Sequence, residues 1–183
     1  MKTHLYDPRV FDVDGIQDAK EIILTTEDGL PTEERWVRET PYVDGMAADL
    51  LGVGATSLVL DYGCGIGRVA KALIEKTSCR VTGADISSGM RRLAVDYVGS
   101  DHFAVLAPPD LPAASFDAAM TIWVLQHCPN PIEDVQRIAA ALKPGSRLFI
   151  VNNIPRLREL TILEKFSKPG NLGEPQDLIR FHT

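Results

Sequence analysis

Three glycines and two carboxylates carry the strongest chemical signal in this chain. In Asp61-Tyr-Gly63-Cys64-Gly65-Ile-Gly67-Arg68, alternate glycines join an apolar stretch to a run with helical spacing. Backbone without side chains lets a ligand approach closely, and the free N–H groups at a helix start point toward it. A plain strand-to-helix turn would use the same residues. Eighteen positions after Gly67, Asp85 closes Val81-Thr-Gly-Ala-Asp85, where it could accept both hydroxyls of a ribose. It could instead cap the next helix, although Ser87 and Ser88 are available for that. Asp61 stands two residues before the first glycine; an acid there would repel a pyrophosphate but hold an ammonium group. The dinucleotide fingerprint G-x-G-x-x-G needs glycine where this chain has Arg68, which argues against NAD and an oxidoreductase. An adenosine joined to a cationic amino acid fits these residues better.

The elements that must hold them follow from hydropathy. Strands are expected over 57–61, 80–85, 102–106, 116–124 and 147–151, with helices over 66–76, 87–98 and from Asn130-Pro131 to Leu142. Alternation of this kind makes a parallel α/β sheet. The link 107–115 is too short for a crossover helix, but its nine residues can reach ~30 Å, more than the ~22 Å that strand order 3-2-1-4-5 demands. In that order the ligand crevice opens beyond the carboxyl ends of strands 1 and 4. Ahead of the sheet, Thr40-Pro41 reads as a helix start, with Tyr42, Val43, Met46, Ala47 and Leu50 at helical spacing until Gly52. Residues 1–30 are polar and broken by turns, with no core of their own. Their Asp12, Asp14 and Asp18 lack the spacing of a calcium loop and read as a solvated acidic stretch.

Composition narrows the function classes. Of 183 residues, 45 % are hydrophobic and 24 % charged, which excludes disordered and collagen-like chains. Nineteen basic against twenty-five acidic residues give a net charge of −6; without a basic stripe, nucleic acid is not an expected partner. No apolar run approaches the ~20 residues of a membrane helix, and the first residues lack a signal core, so a cytoplasmic protein away from membranes is expected. Cys64, Cys79 and Cys128 form no CxxC pair and the four histidines are scattered, so free thiols and no metal site are expected.

Four blocks in order resemble the class I S-adenosylmethionine-dependent methyltransferases, in particular the small-molecule branch with the ubiquinone and menaquinone enzymes. They are Val59-Leu-Asp-Tyr-Gly-Cys-Gly-Ile-Gly67, Val81-Thr-Gly-Ala-Asp-Ile-Ser87, Ser115-Phe-Asp-Ala-Ala-Met-Thr-Ile-Trp-Val-Leu-Gln-His127 and Leu142-Lys-Pro-Gly-Ser-Arg-Leu-Phe-Ile150. The resemblance implies a Rossmann-like doubly wound sheet and methyl transfer from S-adenosylmethionine to a small-molecule O, N or C acceptor. It also implies that Gly63, Cys64, Gly65 and Gly67 face the methionine part, Asp61 its ammonium, Asp85 the ribose and Ile86 one face of adenine, with Met90 nearby. Trp123 would border the methionine part or fill core. His127 is the candidate general base, against a packing role. The segment Glu33-Glu-Arg-Trp-Val-Arg-Glu-Thr-Pro-Tyr42 resembles the cap of such enzymes, with Trp36, Arg38 and Tyr42 as candidate ligand contacts. Many relatives carry Asp-Ala after strand three for the adenine; here Ala107 and Pro108 offer neither a side-chain acceptor nor an N–H, and Asp110 would have to substitute. A noncatalytic binder of the cofactor or its product is the rival reading.

The resulting division is an N-terminal arm and cap helix over 1–52, a binding core over 53–155 and a C-terminal extension over 156–183. The extension has a helix-like stretch over 156–166 and ends at Phe181-His-Thr183, a step that in relatives starts the next helix. Strands 6 and 7 of the family are expected to be missing. The apolar edge 147–151 would then be uncovered and open to pairing with a second copy, or the chain would be part of a longer one.

Overall fold

A computed structural model describes residues 8–26, 29–152 and 179–180. After a single 3-10 turn at Pro8–Phe11, the elements run α1 (Ile16–Ile23), α2 (Thr32–Leu51), β1 (Leu58–Tyr62), α3 (Arg68–Thr77), β2 (Arg80–Ala84), α4 (Ser88–Val98) and β3 (Phe103–Leu106). They continue through β4 (Phe116–Ile122), α5 (Pro131–Ala141), β5 (Leu142–Val151) and β6 (Ile179–Arg180). Strand order is β3-β2-β1-β4-β5-β6, the first five parallel. The expected 3-2-1-4-5 sheet is therefore present, and β3 reaches β4 through a 3-10 turn at Pro108–Asp110.

Alternation along each strand feeds two cores, because successive side chains leave opposite faces. Val59, Val81, Ala118, Met120 and Phe149 pack under α2 and α3. Leu60, Tyr62, Ala119 and Leu148 pack under α5 through Ile138 and Ala141. The same alternation sends Asp61 toward α3 and Tyr62 toward α5.

Three expectations need correction. The cap helix does not start at Thr40-Pro41: α2 begins at Thr32, and Pro41 lies inside it. Glu33 and Glu34 in the first turn suit the helix dipole, and Thr40 Oγ1 donates to the Trp36 carbonyl at 2.6 Å. Burial of Trp36, Val43, Ala47 and Leu51 along one stripe offsets the cost of an interior proline. The arm, second, is not merely polar: it holds α1, and its Ala19 and Leu24 are buried with Trp36, Ile66, Met90 and Leu93. Nor is Asp12 simply solvated. Its Oδ1 accepts from the Gly89 N–H at 3.1 Å and from Ser87 Oγ at 3.2 Å, and Asp14 pairs with Arg92 at 2.6 Å. The arm is thus fastened to the start of α4. Third, the β5 edge carries a strand: Ile179–Arg180 pairs antiparallel with Leu148 and Arg147, so pairing between copies would have to begin beyond that segment. The helix expected over 156–166 and the Phe181-His-Thr183 ending lie outside the described residues.

Candidate functional site

Beyond the carboxyl ends of β1 and β4 lies a cavity of about 700 Å³, within the size range of small-molecule sites. The glycine turn forms its floor. Gly63 (φ +77°) and Gly65 (φ +53°) both line the cavity, and both take the left-handed backbone that favours glycine. An added Cβ at Gly63 would stand 2.2 Å from Val124 Cγ2, and at Gly65 2.7 Å from Ile23 Cδ1. Gly67 takes the same left-handed backbone (φ +80°) but does not line the cavity; its missing Cβ would meet Val98 at 2.5 Å, so it lets the start of α3 approach the end of α4. Cys64 lines the wall, and burial pushes its thiol pKa up.

On the β2 side, Asp85 is buried, and its two oxygens accept the N–H groups of Gly65 and Ser87, each at 2.9 Å. Burial raises its pKa, and these two N–H donors oppose the rise. The cap of α4 is Ser87, whose Oγ accepts the Met90 N–H at 3.0 Å, so Asp85 need not serve as one. Next to it Ile86 is 64 % exposed, an apolar side chain left open at the cavity wall. Met90 is buried at the boundary between cavity and core. Pro108 and Pro109 close this end; Asp110 does not line it.

Between the two ends Asp61 is buried to 4 % exposure, and no hydrogen bond from the described residues reaches its carboxylate. Desolvation, with the Asp85 charge adding and Arg68 opposing, lifts its pKa to about 7. Arg68 is equally buried. Its guanidinium lies between two indoles, 5.4 Å from the ring centroids of both Trp36 and Trp123. Trp123 takes φ +57°, a costly backbone for a bulky residue, and its N–H is held by the Val151 carbonyl at 2.6 Å.

On the β4 and α5 side stands a cluster that sequence reading missed. Tyr62 Oη donates to Asp134 Oδ1, and Arg137 Nη1 donates to both Tyr62 Oη at 3.0 Å and Asp134 Oδ1 at 2.9 Å. All three line the cavity with Cys128 and Pro129. Burial, then the bond to Asp134, drives the tyrosine pKa upward. The α5 spacing that pairs residues 134 and 137 was visible, but nothing in sequence joined them to Tyr62, 72 positions before Asp134. His127 also lines the cavity, its Nε2 3.1 Å from Gln126 Nε2 and its ring edge-on to Phe11 at 5.6 Å.

Of the cap residues expected at the ligand, none lines the cavity. Arg38 and Tyr42 are exposed on the outer face of α2, Arg38 beside Glu34 at 3.3 Å, and Trp36 stands behind Arg68 with its indole N–H donated to Tyr97 Oη at 3.0 Å. The cap reaches the cavity instead through Arg35 and through Ile22, Ile23 and Leu24 of the arm. No group of His, Cys, Asp or Glu among the described residues could hold a metal ion, and no helix among them is long and apolar enough to cross a membrane.

Comparison with known proteins agrees with this geometry. Residues 60–150, about half the chain, match the Methyltransferase domain family. The chain belongs to the class I S-adenosylmethionine-dependent methyltransferases. It is 35 % identical over 114 residues to the methyltransferase GfsG of Streptomyces halstedii, covering 58 % of this chain and 41 % of that protein. To a ubiquinone biosynthesis O-methyltransferase of Idiomarina loihiensis it is 34 % identical over 101 residues, covering 50 % of this chain and 40 % of that one. The chain thus spans about two fifths of the length of these relatives. A solved structure of a putative S-adenosyl-L-methionine-dependent methyltransferase from Methanococcus maripaludis superposes with a TM-score of 0.66 at 15 % identity, over 91 % of this chain and 81 % of that one. At that identity the likeness is one of fold.

Proposed function

We propose that this methyltransferase chain moves a methyl group from S-adenosylmethionine to a small-molecule O, N or C acceptor. The observation that carries the reading is the arrangement about the glycine turn: a buried acid that takes no hydrogen bond from the described residues, a second acid at the end of β2, and an open apolar side chain beside it. These features fit the cofactor. Each Asp85 oxygen holds one backbone N–H and keeps a further lone-pair site for a ribose hydroxyl. Ile86 offers an apolar face to adenine. Asp61 gains from an ammonium partner, which relieves the cost of its burial. The bare backbone at Gly63 and Gly65 leaves room for the chain between them.

Bound here, S-adenosylmethionine would supply an electrophilic methyl group on a positively charged sulfur. The protein's task is then alignment of acceptor, methyl and sulfur, which can supply much of the rate by itself. Adenosine on the β2 side leaves the β4 and α5 side for the acceptor. That wall mixes apolar Ile122, Val124 and Pro129 with the Tyr62–Asp134–Arg137 cluster, and His127 stands there to take a proton from an O or N acceptor. At the adenine end, Pro108 supplies no N–H and Ala107 no side-chain acceptor, so recognition rests on Ile86 and the proline rings.

A thermal melt with S-adenosylmethionine or S-adenosylhomocysteine tests the proposal, with NAD as comparison and Asp85→Ala as control. Saturation at ~100 times the dissociation constant contributes about 2.7 kcal/mol, which for this length raises Tm by roughly 5–10 °C. Absence of a shift, or a shift with NAD alone, would sink the reading; an acceptor screen follows a positive result.

A further inference from the structure

The Tyr62–Asp134–Arg137 cluster is a part of the cavity wall for which a bound cofactor has no use, and its hydrogen bonds show what it still has to offer. Tyr62 spends its one proton on Asp134. Burial, then that bond, drives the phenol pKa upward, so the proton stays there. Asp134 takes two donors on Oδ1, and its side chain is only 18 % exposed. Arg137 is served far less. Its Nη1 supplies both of its bonds, to Tyr62 Oη at 3.0 Å and to Asp134 Oδ1 at 2.9 Å, and no hydrogen bond among the described residues uses its Nε or Nη2. A guanidinium carries five N–H donors in a rigid fork, so the edge made by Nε and Nη2 is left over. The side chain is 38 % exposed and borders the cavity.

The surroundings of that edge are mostly apolar: Ile122, Val124 and Pro129, with the rings of Phe11 and His127 edge to face. A ligand on this side therefore needs an apolar body and a group with two hydrogen-bond acceptors side by side. A carboxylate has that form and meets a guanidinium bidentately. A hydroxyl would fill one donor of the edge, and an ammonium would face the guanidinium charge. Asp134 is the counter-charge of Arg137 and weakens its pull on a second anion, but it covers Nη1 and leaves the other edge open. We propose that Arg137 anchors a carboxylate carried by the methyl acceptor, which makes apolar molecules bearing one carboxylate the preferred substrate class. The anchored group is not the one methylated, because the cluster stands a tyrosine side chain away from the glycine turn. This rests on the S-adenosylmethionine reading and deepens it.

The probes are benzoate and benzamide, which share a ring and a carbonyl and differ in charge. Their dissociation constants are measured by ligand-observed NMR on the whole chain saturated with S-adenosylhomocysteine, as wild type, Arg137→Met and Asp134→Asn. Wild type is expected to prefer benzoate about tenfold, the low end for a charge-assisted pair because Arg137 is partly exposed. In Arg137→Met the preference should fall to about onefold. In Asp134→Asn it should rise, since the counter-charge is gone while the amide oxygen still accepts from Tyr62. General damage would weaken both probes together and leave the ratio alone. A wild type that favours neither probe or binds no benzoate, or an Arg137→Met that keeps the wild-type ratio, overturns the proposal and leaves the cofactor reading standing. If S-adenosylhomocysteine gives no thermal shift, the cofactor reading fails, and the same ratio on the ligand-free chain still judges Arg137. Should Arg137→Met not fold, Asp134→Asn decides: a ratio unchanged or lowered refutes the anchor.

Discussion

Single positions in this site are costly to the fold and so report on it. With its pKa at about 7 against 3.8 unfolded, Asp61 keeps a proton that the unfolded chain gives up earlier. Its contribution is whole below pH 3.8 and is lost as pH rises through about 7, so stability of the ligand-free chain falls across that window. Asp61→Asn does not titrate; urea unfolding at pH 5 and pH 7.5 should show a clearly shallower decline than wild type, and an equal decline would refute the assignment. Asp85 adds to the slope in the same direction and remains in the variant. Gly63→Ala meets both a left-handed φ and Val124 atoms at 2.2–2.9 Å. It should destabilise by roughly 2 kcal/mol or more, and Val124→Ala in the same chain should recover part of the loss. Independent, additive losses in that double-mutant cycle would mean the two do not touch.

Between elements, polar ties set how the cavity walls meet. The Tyr62–Asp134–Arg137 cycle fastens the end of β1 to the first turns of α5. Removing the hydroxyl in Tyr62→Phe leaves the other two partners to pair with each other, so a loss of about 1–2 kcal/mol is expected. Chemical denaturation checks this, and a neutral effect would show that the bonds to Tyr62 add nothing to the seat of α5 on β1. Asp12 ties the arm to α4 through Gly89 N–H and Ser87 Oγ. Asp12→Ala should cost about 1 kcal/mol, the scale of a lost helix cap, and should raise amide exchange at Gly89 ahead of the rest of α4. Uniform exchange along α4 would argue against the tie.

At the scale of the whole molecule, the sheet order places two lobes on either side of β1. The β2 lobe carries Asp85 and Ile86, the β4 lobe carries His127 and the polar cluster, and the arm with α2 roofs both through Ile23 over Gly65 and Phe11 against His127. Asp85→Ala should then abolish the thermal shift given by S-adenosylhomocysteine, whereas Arg137→Met, in the other lobe, should leave it within a degree or two. Equal loss in both variants would mean that the lobes do not divide cofactor from acceptor.

The order of strands and helices, the glycine turn and the two acids were legible in the sequence because each depends on local spacing: period two in strands, period 3.6 in helices, glycine where the chain must turn with positive φ. The strand order could be narrowed from one short link whose length is itself a sequence property. What the tertiary structure alone decided depends on residues far apart along the chain. Arg68 read as a mere departure from a glycine pattern until Trp36 and Trp123 stood on either side of it. Pro41 read as a helix start because proline disfavours helix interiors, and burial of the stripe from Trp36 to Leu51 overrode that local preference. Of the cap residues expected at the ligand, Arg38 and Tyr42 proved to face outward and Trp36 to pack behind Arg68, and Gly67 met Val98, because helix rotation and close approach are settled by what lies across the core. A polar arm and a lone tyrosine became parts of the cavity wall for the same reason: sequence spacing describes neighbours along one element, while the pairing of elements is set by the surface they bury together.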